Sequence, residues 1–85
     1  MKTYKVRLER RVLKKLARVS EPYYKSIKTA ILDLSTNPQP LGCRKLKGRD
    51  AFRIRVANYR IVYEIQDAIK LVSVIDLGHR KDIYK

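Results

Sequence analysis

The sequence predicts an α+β domain of order β-α-α-β-β-β, with an N-terminal strand and a helical hairpin packed on a mainly antiparallel sheet. Three observations lead there. Residues 3–8 alternate, with Tyr4, Val6 and Leu8 on one side and Thr3, Lys5 and Arg7 on the other, the period of a half-buried strand. Residues 9–36 then change to helical spacing, and from residue 52 onward three strand-like runs follow, the first two alternating and the third nearly continuously apolar. Runs of helix and strand segregated along the chain make helices on one face of a meander. The 85 residues are expected to form one domain, 1–85, because two would each lack a core.

Each element has its own signal. Val12, Leu13, Leu16 and Ala17 form an apolar stripe, with Arg10, Arg11, Lys14, Lys15 and Arg18 on the other side. Ser20 followed by Glu21 and Pro22 reads as a new helix start, a cap, an acid and an early proline. Tyr23, Ile27, Ala30, Ile31 and Leu34 then recur on one helical face. Asn37–Pro38 ends that helix and Pro40 prevents its resumption, since the residue before a proline is pushed out of the helical region. Residues 41–50 are a basic loop or short strand. Phe52, Ile54 and Val56 alternate with Arg53 and Arg55, and Ala57–Asn58 make a tight turn. Residues 59–65 form the next strand, Gln66–Asp67 turn the chain, and residues 69–77 are nearly continuous apolar sequence, which suits a strand inside the sheet.

Lys and Arg total 21 against 8 Asp and Glu, a formal charge of +13. So much like charge opposes the compact state, and its natural partners are a nucleic acid, an acidic protein or an anionic membrane. A membrane is not expected: the longest uncharged apolar stretch, residues 71–75, is far short of the roughly 20 residues that span a bilayer. The start, Met1 to Lys5, leads into no apolar signal core, so a cytoplasmic location is expected. Cys43 is the only cysteine and His79 the only histidine. Neither an internal disulfide nor a four-ligand metal site follows, and no cofactor is expected.

The charge is concentrated. Between residues 44 and 60 lie Arg44, Lys45, Lys47, Arg49, Arg53, Arg55 and Arg60 against the single acid Asp50. If Phe52, Ile54 and Val56 face the helices, Arg53 and Arg55 face away, and burying Ile61, Tyr63 and Ile65 sends Arg60 to the same open face. Arginine suits an anion there, because its planar fork grips phosphate oxygens in pairs. Lys45, Lys47 and Arg49 are expected to extend the surface for substrate. His79, Arg80 and Tyr84 follow the last strand. Histidine can move protons near neutral pH, and tyrosine can stack on a base or bond a phosphate. RNA cleavage by its own 2′-hydroxyl needs in-line positioning, cations for the transition-state charge and proton transfer, all of which this set supplies without a metal.

These residues carry a family resemblance. Lys45-Leu46-Lys47-Gly48, Phe52-Arg53-Ile54-Arg55-Val56, Tyr59-Arg60-Ile61-Val62-Tyr63 and Gly78-His79-Arg80 with Ile83-Tyr84 resemble the RelE branch of the RelE/ParE toxins, closely over the C-terminal half and only as strand plus helical hairpin before it. The resemblance implies a RelE-like fold and the toxin half of a type II toxin–antitoxin pair. It implies an mRNA interferase that enters the ribosomal A site, against 16S ribosomal RNA, and cuts mRNA by 2′-hydroxyl attack, leaving a 2′,3′-cyclic phosphate. It also implies a cognate antitoxin that wraps the toxin, which a chain of this charge leads one to expect to be acidic. By position, Arg53 and Arg55 resemble the basic pair on the first meander strand. Arg60 resembles the phosphate-stabilising arginine, Arg80 the leaving-group acid or charge stabiliser, and Tyr84 the aromatic that stacks on or orients the substrate. The basic pair is often lysine in ribonuclease members and arginine here. Arginine is a poor base, which makes His79 the better candidate for that role. Longer relatives continue into a C-terminal helix beyond the point where this sequence stops, and its lack would leave a groove for the antitoxin.

Two functional classes remain in view: a ribosome-dependent endoribonuclease, and a non-enzymatic inhibitor of DNA gyrase like the ParE branch. Arg60, Arg80 and Tyr84 together favour the nuclease. A DNA-binding module is weaker, because the basic residues converge on a sheet face and no recognition helix is visible.

Overall fold

The computed structural model describes residues 3–48 and 50–79. Strand β1 (Lys5–Leu8) leads into helix α1 (Arg10–Ala17) and helix α2 (Tyr23–Asp33). There follow β2 (Arg44–Lys45), β3 (Ala51–Val56), β4 (Tyr59–Gln66), a single 3-10 turn (Asp67–Ile69) and β5 (Leu71–His79). The five strands form one sheet in the order β1-β5-β4-β3-β2. All neighbours are antiparallel except β1, which runs parallel to β5 with Lys5 opposite Leu71 and Leu8 opposite Val74. The α+β architecture and the element order are those expected, with β2 added as a two-residue edge strand. The last strand begins at Leu71 rather than Ile69, which lies in the 3-10 turn and is exposed.

The core fills the space between the helices and one face of the sheet. Val12 and Leu16 of α1, Ile27 and Ile31 of α2 and Leu34 beyond it meet Ile54, Ile61, Tyr63, Val72, Val74 and Leu77. The predicted stripe on the first helix is narrower than expected: Leu13 is 54% exposed and Ala17 is also exposed. A helix of eight residues makes about two turns, so it offers the sheet only positions 12 and 16, one turn apart. The second helix begins at Tyr23 with Pro22 at the N-cap position, two residues later than the Ser20 signal placed it, and it is Glu21, just before it, whose side chain reaches the first turn. The Lys25 amide donates to Glu21 Oε1 at 3.1 Å, which satisfies an otherwise orphaned amide and sets a negative charge at the positive helix end. Ala57 in the β3–β4 turn is held at φ 55°, a region that glycine enters with less strain.

Strand β5 carries a bulge. Val62 opposes Asp76 and Tyr63 opposes Val74, so Ile75 has no partner of its own. One extra residue changes the phase of everything after it. Val72 and Val74 face the helices, and beyond the bulge so do Leu77 and His79, opposite Ile61 and Tyr59.

Tyr63 ties the loop after α2 to the core. Its ring is fully buried and its hydroxyl donates to the Pro38 carbonyl at 2.7 Å. Burial, followed by the nearby Cys43 thiol, raises its ionisation well above the ordinary value of 10.0. A folded-state value above the unfolded one means stability that is present below pH 10 and lost as the pH rises past it. Tyr63→Phe is therefore expected to cost about 1–3 kcal/mol at neutral pH, by leaving the Pro38 carbonyl unsatisfied. The gap between variant and wild type should narrow above pH 10. Thermal melts of both proteins across that range test this, and a gap constant with pH would refute it.

Candidate nucleic-acid interface

The face of the sheet turned away from the helices is built by strand register. Arg44 of β2 sits opposite Arg53 of β3, and Arg55 of β3 opposite Arg60 of β4. Cross-strand pairs share a face, with β-carbons about 5 Å apart. Arg53 and Arg55 stand two residues apart on one strand, about 7 Å along it. Four arginines thus share one small area, and directly opposed like charges are destabilising. Arg44 and Arg55 are exposed, and among the described residues neither forms an ion pair. An anion laid across Arg44 and Arg55 meets two exposed guanidinium groups.

The expected facing of Arg53, Arg55 and Arg60 is what the sheet shows, but the expected openness needs correction. Arg60 is only 5% exposed, and Val62 beside it on the same face 7%. Alternation fixes which face a side chain takes and says nothing of how deep it lies there. Its partners across the face differ: Gly78 on β5 is buried with it, while Arg55 on β3 is exposed.

Strand β2 pairs only with Phe52 and Arg53, which leaves the outer edge of residues 54–56 uncovered by a strand. Beside that edge lies a cleft of about 760 Å³. Arg44, Arg53 and Arg55 form one wall, and Ala30, Asp33 and Leu41 the other. Leu41 at its rim is fully exposed. Sequence reasoning missed this cleft, because only the two-residue length of β2 reveals the bare edge.

The remaining expected site residues separate from this face. Lys45 opposes Phe52, which packs against the core, so it points to the helix side of the sheet and pairs with Asp50 at 3.5 Å. Lys47 is exposed in the following turn. Arg49, Arg80 and Tyr84 lie outside the described residues. His79 is not brought to the arginine face: the bulge at Ile75 turns it to the helix side, where its ring meets Tyr59 edge-on at 5.5 Å. Tyr59 in turn contacts Tyr23 of α2 at 5.9 Å. Among the described residues no group of three His, Cys, Asp or Glu is placed to hold a metal ion, and no helix is long and apolar enough to cross a membrane.

Comparison with known proteins follows the same lines. Residues 6–84 match the family model described as the ParE toxin of the type II toxin–antitoxin system, parDE. The fold is similar to that in the archaeal RelE–RelB complex from Pyrococcus horikoshii, with a TM-score of 0.84 and 26% identity over 92% of this chain and 96% of that one. It is also similar to the RelB–RelE antitoxin–toxin complex from Methanococcus jannaschii, with a TM-score of 0.74 and 30% identity over 92% and 94%. The intact RelBE toxin–antitoxin complex of E. coli gives a TM-score of 0.78 and 25% identity over 89% and 95%. No match was found among curated protein sequences.

Proposed function

We propose that this chain, which belongs to the ParE toxin family within the RelE/ParE superfamily of type II toxin–antitoxin toxins, acts as a ribosome-dependent endoribonuclease that cuts mRNA in the A site. One observation carries the reading: Arg44, Arg53, Arg55 and Arg60 converge on a single sheet face. The RNA supplies its own nucleophile, the 2′-hydroxyl. The arginines hold the scissile phosphate in line and stabilise the charge that develops on its oxygens. The sequence continues past β5 into Arg80 and Tyr84, to which the resemblance assigns leaving-group stabilisation and substrate orientation. His79 is not given the base in this scheme, since its ring lies against Tyr59 on the other side of the sheet. The ribosome positions the mRNA, and the chain needs no cofactor.

The partner is a cognate antitoxin. All three neighbours described above are toxins bound to RelB-type antitoxins. The cleft beside residues 54–56 suits an extended acidic segment, offering arginines and an unpaired strand edge together. A second reading, inhibition of DNA gyrase, is kept because the matching family model is that of ParE.

Purified protein incubated with mRNA, with and without programmed ribosomes, separates the two. Cuts within the A-site codon, ending in 2′,3′-cyclic phosphate and seen only with ribosomes, are the expected result. Intact mRNA together with inhibited gyrase supercoiling would replace this reading by the second.

A further inference from the structure

On the helix side of the sheet, away from the arginine face, lies a second cavity of about 320 Å³, at the lower end of the roughly 300–1,000 Å³ usual for small-ligand sites. Its lining mixes two chemistries. Tyr59 and His79 supply rings, with Leu77 and Val19 as apolar floor, and Lys15 and Arg18 of the α1 end supply positive charge. Lys15 is paired with the Asp76 carboxylate at 2.9 Å, so Arg18 is the cation of the lining best placed to meet an anion. Arg11, Lys14, Lys15 and Arg18 are all exposed and follow the spacing of neighbours on one helical face. A line of cations therefore runs along α1 into a pocket with aromatic walls.

We infer that this cavity binds one unpaired RNA nucleotide, its base against Tyr59 and His79 and its phosphate on Arg18. Rings beside a cationic track are the chemistry by which single strands are held without regard to sequence. An acidic peptide would use the cations and leave the rings without a role. A duplex would keep its bases stacked on each other and out of the pocket. The inference rests on the reading of the protein as a toxin directed at RNA, and it adds a second contact on the opposite side of the sheet from the cleavage face. With both occupied, the toxin is anchored by one RNA segment while it works on another.

His79 makes the test direct, because it is the only histidine in the chain and its imidazole C2 proton gives one isolated NMR signal. A short oligoadenylate is expected to move that signal upfield in a saturable way, as a base stacks nearby, while tripolyphosphate and oligoglutamate leave it in place. Arg18→Ala is expected to weaken oligoadenylate binding roughly tenfold, the loss of one charge-assisted contact. It should also lower the log–log salt slope by about 0.7, the single-strand value for one phosphate. Arg55→Ala should leave the His79 shift intact. An unmoved His79 signal at saturating oligoadenylate would overturn the inference. So would an equal response to tripolyphosphate or oligoglutamate, or a shift lost in Arg55→Ala and kept in Arg18→Ala. The measurement uses no ribosome, so its failure leaves the cleavage reading standing, and a protein that fails to cleave can still pass it.

Discussion

Arg60→Ala is expected to lower ribosome-dependent cleavage by about 10²–10³-fold, the usual effect of removing one preorganised donor from a transition state. Arg60 is 5% exposed and opposite Arg55 and Gly78, a setting poor in water where, on the proposed function, each charge facing a phosphate counts for more. The same burial means that alanine also changes packing. Arg60→Lys separates the two effects: it keeps a charge and a long stem but loses the planar fork. Its thermal midpoint should stay near that of the wild type while single-turnover cleavage on programmed ribosomes still falls. A folded Arg60→Lys and a folded Arg60→Ala that both cut at the wild-type rate would remove this arginine from the mechanism.

The next residue should behave in the opposite way. Ile61 is fully buried and sits opposite Ile54 on β3 and Leu77 on β5, in the middle of the core. Ile61→Ala is expected to cost about 2–5 kcal/mol, from lost transfer energy and the void left behind. In a domain of this size each kcal/mol moves the thermal midpoint by about 4–8 °C. Urea titration should show a lower midpoint with an unchanged slope. Cleavage per folded molecule should be retained under conditions where the variant is native. A midpoint within error of the wild type would mean that β4 does not present Ile61 to the helices, and the facing of Arg60 would fall with it.

Neighbouring residues with opposite duties are what alternation makes legible. The patterns at Tyr4, Val6 and Leu8, at Ile27, Ile31 and Leu34, and at Phe52 through Val56 each gave the correct face, because a period needs only the residues that repeat it. What stayed hidden depends on partners distant in sequence. Two residues, Arg44 and Lys45, cannot show a period, so β2 and the bare edge beside it become visible only through pairing with Arg53 and Phe52. The run from Ile69 to Leu77 is too uniformly apolar to be phased. The bulge at Ile75 is therefore silent in the sequence, and with it the turn of His79 toward Tyr59.

The parallel pairing of β1 with β5 governs when this surface comes into being. Lys5 meets Leu71, far along the chain, so β1 waits for β5. Until residues 71–79 leave the ribosome that makes them, β1 has no partner, β4 has one open flank, and Val72, Val74 and Leu77 are missing from the core. Contacts this far apart in sequence form late and slowly. A growing chain therefore carries its arginines with no complete platform to array them until residues 71–79 are made. The arginine face comes into being only after residues 71–79 have been made, which gives an antitoxin already present the whole of that interval in which to be waiting.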